Sequence, residues 1–195
     1  MLKVLFDRKV YYPLFIAAVP LLATVCSVLT AVAAALISVI TITLSALIIS
    51  ALKGFLNKTT APFAQLIISV GIVGMLTIPL SLILPDEVEA LGIYLPLLAV
   101  IAPIVTDYSR YLESSVGKAA LDALIPAAGH GVLIIICGII REVIGLGSIL
   151  GIDLYTKWLT PVAFFATPAG GLFLLGLLLI AYNVIVKHFT VKEDK

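Results

Sequence analysis

Four ionisable side chains stand in or beside apolar stretches of this sequence: Asp122, His130, Arg141 and Glu142. An ionisable group at membrane depth is costly, so it is by default a candidate for transport, proton relay or partner recognition. His130, between Gly129 and Gly131, is the only one deep inside an apolar run. A neutral imidazole hydrogen-bonded to a neighbouring helix is the plain structural reading of it. Asp122 opens the same run, where a carboxylate suits the positive end of a helix. Arg141 and Glu142 close it, adjacent and of opposite sign, as a pair that orients the helix end without catalysing anything. The two cysteines, Cys26 and Cys137, match no metal-ligand or redox spacing, and two cannot build a disulfide framework. The sequence carries no phosphate-binding loop, no nucleophile–base pair and no cluster of His, Cys, Asp and Glu, and nothing in it points to nucleic acid. It predicts no catalytic residue and no metal ligand, so the chain alone makes no enzyme.

Chemistry is also available from the backbone. A proline inside a helix removes one hydrogen bond and clashes with the preceding turn. At membrane depth the freed carbonyls must find partners in protein, in water or in a cavity. Residues 90–106 form an apolar run only just long enough to cross a bilayer, and it is interrupted at Pro96 and Pro103. Near the N-terminus, Val19-Pro20-Leu21-Leu22-Ala23 resembles Leu95-Pro96-Leu97-Leu98-Ala99. Short broken segments at matching places in two halves of a chain mark a midplane site between repeats. Chance recurrence in a Leu/Ala-rich chain is the plain alternative, and where the two copies fall decides between them.

The elements that hold these residues are membrane spans. Of the residues, 62% are hydrophobic and 12% charged, with a mean hydropathy of +1.24, which excludes an ordinary soluble domain. No charge occurs between Val10 and Leu52, a stretch long enough to cross twice, so it divides into spans at about 12–27 and 30–52. Further spans fall at about 61–84, 90–106, 119–140 and 158–186. Residues 1–12 suit the interface, and Trp158 is an interfacial anchor. Residues 107–122, with Asp107, Arg110, Glu113, Lys118 and Asp122, form a wet connection, and glycine-rich 143–152 is expected to be a loop. With six alternating spans, ten of the twelve Lys and Arg residues fall on one side, and only Arg141 and Lys157 on the other. That asymmetry predicts both termini in the cytoplasm. Pro20 then lies in span one and Pro96 in span four. The expected fold is one all-α membrane domain of two inverted three-helix repeats, about 12–84 and 90–186, with helices one and four broken.

Several motifs bear a resemblance to one family. Leu91-Gly-Ile-Tyr-Leu-Pro-Leu, Ala120-Leu-Asp122, Gly129, Gly138 and Arg141-Glu142-Val143-Ile144-Gly145-Leu146-Gly147 are similar to the D/E-type membrane subunits of the Rnf and Nqr complexes. Thr167-Pro168-Ala169-Gly170 resembles the family's Pro-Pro-Gly, and Pro20-Leu21-Leu22-Ala23 carries a looser match in the first half. The resemblance implies six spans with both termini inside and partnership with a sister A/E-type subunit. It also implies a bacterial or archaeal inner-membrane complex in which partner subunits carry flavins and iron–sulfur clusters. In the family, one cysteine from each broken helix helps to hold a [2Fe–2S] cluster shared with the sister subunit. Those positions fall on Val19 and Ala102, neither of which ligates iron, so no cofactor is expected on this chain.

The resulting expectation is a membrane subunit of an Rnf/Nqr-like ion-translocating electron-transport complex that lacks cluster ligands of its own. A small-solute carrier, or the substrate-binding membrane component of a vitamin transporter, is the alternative at this size and span count. A stand-alone channel is disfavoured, because no ring of charged or carbonyl-rich residues is visible.

Overall fold

The computed structural model describes residues 8–106, 108–150, 152–153 and 161–193. The expected interfacial segment up to residue 7, together with Asp107 and Trp158, lies outside them. The first helix, α1 (Arg8–Ala18), stops where Val19 and Pro20 turn the chain. A single 3-10 turn follows, Leu21–Ala23, and Ser27 then starts a long helix, α2 (Val28–Ala51). The start of α2 is a capping box: Ser27 Oγ accepts from the Thr30 amide and Thr30 Oγ1 accepts from the Ser27 amide, both at 3.2 Å.

Small residues decide how α2 packs. Ala31, Ala34 and Ala35 are buried, and α2 lies most extensively against α7 (Val116–Arg141). A Cβ added to Gly131 of α7 would stand 3.2 Å from Val39 Cγ2 and 3.5 Å from Ala35 Cβ. Close backbone approach through small residues is how helices gain contact in a solvent as apolar as themselves. Helix α3 (Ala61–Ile83) behaves differently: Phe63, Ile67, Met75, Ile78 and Leu82 all point outward.

Helices α4 (Pro85–Leu91) and α5 (Tyr94–Val105) form one bent pair, with 73° between their axes. The bend corrects the expectation that Pro96 and Pro103 break this segment. It falls at Gly92, whose φ of 42° belongs to the left-handed region that glycine enters without strain. Pro96 is the third residue of α5, where an amide has no intrahelical acceptor to lose, and Pro103 lies inside the same helix, in its last turn.

Helix α6 (Tyr108–Glu113) leads into α7. At this end of the bundle Ser50 Oγ and Lys53 Nζ both donate to the Ser114 carbonyl, at 3.2 and 3.1 Å. The connection after α2 and the one before α7 therefore lie at the same end. Beyond Arg141 the chain does not become the expected loop. Glu142–Leu146 continues as a π-helical turn, closed by Gly147 donating to the Glu142 carbonyl at 3.0 Å. A minimal hairpin follows, β1 (Ser148–Ile149) against β2 (Ile152–Asp153). A 3-10 turn, Ala163–Ala166, then precedes α8 (Pro168–Glu193).

Among the described residues, four helical stretches are long and apolar enough to cross a membrane: Val28–Ala51, Ala61–Ile83, Val116–Leu146 and Pro168–Val186. Counting the bent pair as one span makes five. The expected first span is the one that falls short, because its helix is only 11 residues long and ends at the break. Helices α2 and α3 and the end of α5 bury several hydroxyls and one amide, Ser38, Thr41, Ser45, Gln65, Ser69 and Thr106, of which Gln65, Ser45 and Thr106 meet.

Candidate functional site

A chain that leaves a helix exposes carbonyls on one side of the break and amides on the other, and both must be satisfied when buried. Two such places among the described residues, at 19–27 and at 163–168, are served by one residue. Arg141 is completely buried. Its Nη1 donates to the carbonyls of Leu22 and Val25, the latter at 2.6 Å. Its Nε donates to the Phe165 carbonyl at 2.9 Å. Its Nη2 donates to the carbonyls of Ala166 and Thr167, at 3.1 and 2.9 Å. A guanidinium has five N–H groups, and each has an acceptor here.

Glu142 serves the opposite polarity. Its Oε2 accepts from the Val28 amide at 2.6 Å, at the first residue of α2. A carboxylate there satisfies one orphan donor and faces the positive end of the α2 dipole. The expected Arg141–Glu142 ion pair is thus corrected. The two neighbours part, the cation to the carbonyl ends of both breaks and the anion to the amide end of the first. Arg141 is likewise no loop charge, so His130 is not the only ionisable group buried in the bundle.

Glycines make room for this arrangement. A Cβ on Gly171 would lie 2.6 Å from the Leu22 carbonyl oxygen and 3.0 Å from Arg141 Cζ, so the start of α8 can approach only without one. A Cβ on Gly145 would lie 2.8 Å from the Ala166 amide nitrogen, which is why the π-helical turn can lie against Ala163–Ala166. Cys26 Sγ donates to the Ala166 carbonyl at 3.2 Å, and both Cys26 and Cys137 stand near the guanidinium.

The other sequence candidates lie apart. His130 is fully buried and neither ring nitrogen has a hydrogen-bond partner, although the Leu14 carbonyl is close by. Eleven residues separate it from Arg141, about 16 Å along the helix. Asp122 is half-buried and is the seventh residue of α7, whereas the dipole effect expected of it is confined to the first turn. Pro20 heads the 3-10 turn that offers Leu22 to Arg141, while Pro96 and Pro103 lie within α5. Val19 is exposed at its turn and Ala102 is buried in α5; neither carries an atom that ligates iron. Among the described residues no group of three or more His, Cys, Asp or Glu converges. Nothing in the sequence announced the carbonyls of Leu22, Val25 and Phe165, since a backbone acceptor carries no residue signature; the nearest signal was the run Pro168-Ala-Gly-Gly171.

Similarity to known proteins runs along most of the chain. A family model described as Rnf-Nqr subunit, membrane protein, matches residues 1–179. The E subunit of a proton-translocating ferredoxin:NAD(+) oxidoreductase complex from Clostridium ljungdahlii is 26% identical over 180 residues, covering 90% of this chain and 84% of the relative. The E subunit of a Na(+)-translocating ferredoxin:NAD(+) oxidoreductase complex from Acetobacterium woodii is 32% identical over 168 residues, 84% of each chain. The corresponding E subunit of an ion-translocating oxidoreductase complex from Pseudoalteromonas atlantica is 31% identical over 115 residues, 52% of this chain and 50% of the relative.

Proposed function

The chain belongs to the Rnf-Nqr family of membrane subunits, and we infer from that membership that it is the E-type membrane subunit of an ion-translocating electron-transport complex. The observation that carries the reading is the family match over residues 1–179, which includes both chain breaks and the Arg141–Glu142 link between them. The relatives act in ferredoxin:NAD(+) oxidoreductase complexes. A complex of that class is the setting proposed here, with other membrane and redox subunits, among them a sister A/E-type subunit, as partners. One relative is named for protons and another for Na(+), so membership does not fix the ion.

Within that complex we assign the chain six crossings, arranged as two inverted repeats with both termini in the cytoplasm. Four long helices and the bent α4–α5 pair supply five of them. The sixth is α1 with the 3-10 turn after it, a broken crossing whose open backbone is closed by Arg141. The placement of basic residues supports the orientation. With Val19 and Ala102 at the family's cysteine positions, the chain contributes scaffold and no [2Fe–2S] ligand. Electrons then pass on carriers held by other subunits.

Membrane vesicles from the host, with and without this chain, test the function. Loss of ferredoxin-driven NAD(+) reduction together with coupled ion uptake is expected when the chain is removed. Unchanged rates of both would refute the assignment.

A further inference from the structure

The seam of α2, α3 and α5 holds polar atoms that no backbone break explains. Gln65, the chain's one glutamine, is fully buried on α3. Its Nε2 donates to Thr106 Oγ1 at 2.9 Å and reaches Ser45 Oγ at 3.5 Å. Both hydroxyls have already committed their protons, Thr106 to the Ala102 carbonyl at 2.5 Å and Ser45 to the Ile42 carbonyl at 3.0 Å. Only an NH₂ group can therefore face them, and the other end of the amide, Oε1, is turned away. That acceptor is buried and has no partner.

Three hydroxyl oxygens share its condition. Thr43 Oγ1, Ser69 Oγ and Thr41 Oγ1 are buried without partners, although Ser38, Ser45, Thr77 and Thr106 all bond back to a carbonyl of their own helix; Thr43 lies two residues from Thr41 and so on another face of α2. Consecutive helices that pack as a hairpin run antiparallel. The Gln65–Ser45 approach fixes their register, and one turn further along each helix brings Ser69 of α3 opposite Thr41 of α2. One turn back along α5 from Thr106 is Ala102 and a second turn back is Ala99, and Pro103 has no amide for the Ala99 carbonyl. Ser69 lies eight residues into α3, about 12 Å along its axis, so the group is deep in the bundle.

Buried oxygen acceptors without donors call for a guest that supplies positive charge or protons. The donor set is all neutral oxygen, which is hard-cation chemistry. It contains no carboxylate to offset a second charge, so a divalent ion would be left uncompensated in a medium of low dielectric. We propose that Gln65 Oε1, Ser69 Oγ and Thr41 Oγ1, with the Ala99 carbonyl, form a binding site for a dehydrated monovalent alkali cation. The site stands on these atoms and not on the electron-transport reading, which is tested separately in vesicles.

The test is thermal unfolding of the full chain in detergent, in NaCl against choline chloride at equal ionic strength. Binding to the folded state alone raises the midpoint with ligand concentration. A saturable upward shift in Na⁺ is expected, lost in Gln65→Leu and weakened at least tenfold in midpoint concentration in Ser69→Ala and Thr41→Val. The two smaller changes carry the test if Gln65→Leu does not fold. Equal midpoints in Na⁺ and choline for the unaltered chain would mean that the oxygens hold water, and would overturn the proposal. So would a Na⁺ shift that survives in Ser69→Ala and Thr41→Val.

Discussion

Arg141 and Leu22, 119 positions apart in the chain, are joined by a hydrogen bond from Nη1 to the Leu22 carbonyl. The same side chain holds Thr167, 26 positions on in the other direction. One cation thus closes two chain breaks in opposite halves of the protein. In an apolar medium an unmet carbonyl costs more than in a wet loop, so the stability of both breaks should depend on this residue.

Replacing Arg141 with Leu should leave the carbonyls of Leu22, Val25 and Phe165 without a donor, while Ala166 keeps Cys26 Sγ and Thr167 keeps the Gly171 amide. At about 1–3 kcal/mol for each orphaned group, and without full additivity, a loss of at least about 3 kcal/mol is expected. At roughly 2–4 °C per kcal/mol for a chain of this size, the melting midpoint in detergent should fall by about 6 °C or more. Arg141→Lys keeps the charge but offers three donors from one point, and should fall between the two. A lysine variant as stable as the arginine would show that charge alone matters and not the five-bond fork.

Glu142→Gln keeps an acceptor near the Val28 amide and removes the charge at the start of α2. A loss of about 1 kcal/mol is expected, the usual scale of a charge at a helix end. Glu142→Ala, which also removes the acceptor, should cost more. Denaturant titration in mixed micelles reads both; no loss in Glu142→Gln would show that the charge contributes nothing, and equal losses that the acceptor adds nothing beyond the charge.

Gly171→Ala drives a methyl to within 2.6 Å of the Leu22 oxygen and 3.0 Å of the guanidinium carbon. Overpacking of this kind should cost about 1–3 kcal/mol. Gly74→Ala, on the open face of α3 with nothing within 4 Å, should be neutral or gain up to about 1 kcal/mol from helix propensity. Comparing the two midpoints separates the crowding at Arg141 from any general effect of removing a helical glycine.

His130→Phe should leave the midpoint within about 1 kcal/mol of the unaltered chain. The ring nitrogens have no hydrogen bond to lose, and a buried polar group exchanged for an apolar one of similar shape is nearly neutral. A drop above about 2 kcal/mol would show that the imidazole is bonded within the chain, to the Leu14 carbonyl beside it.

How far the sequence carried this account varied with the physics of each residue. Long charge-free runs made α2, α3, α7 and α8 legible, because hydropathy is summed over many positions and tolerates local error. The break at Pro20 was legible too, since proline acts on its own backbone. The second break was misplaced, because Pro96 sits in the first turn of α5, where a proline is harmless, and the turn belongs to Gly92 instead. Arg141 and Glu142 stood out as charges but not as partners of Leu22 and Val28, since carbonyl and amide groups are present at every position and mark none. The seam around Gln65 was missed because only ionisable residues were weighed; the spacing Ser38, Thr41, Ser45 and the single glutamine were the signals available.

The role proposed for this family member is to work inside a redox complex without ligating a cluster itself. The most direct measurement is mass spectrometry of what co-purifies with the chain from gently solubilised host membranes, followed by iron analysis of that complex with Cys26 and Cys137 changed to Ser. The account predicts flavin-bearing and iron–sulfur subunits in the preparation, and an iron content unchanged by either substitution. Isolation without such partners, or a [2Fe–2S] signal that disappears with one of these cysteines, would contradict it.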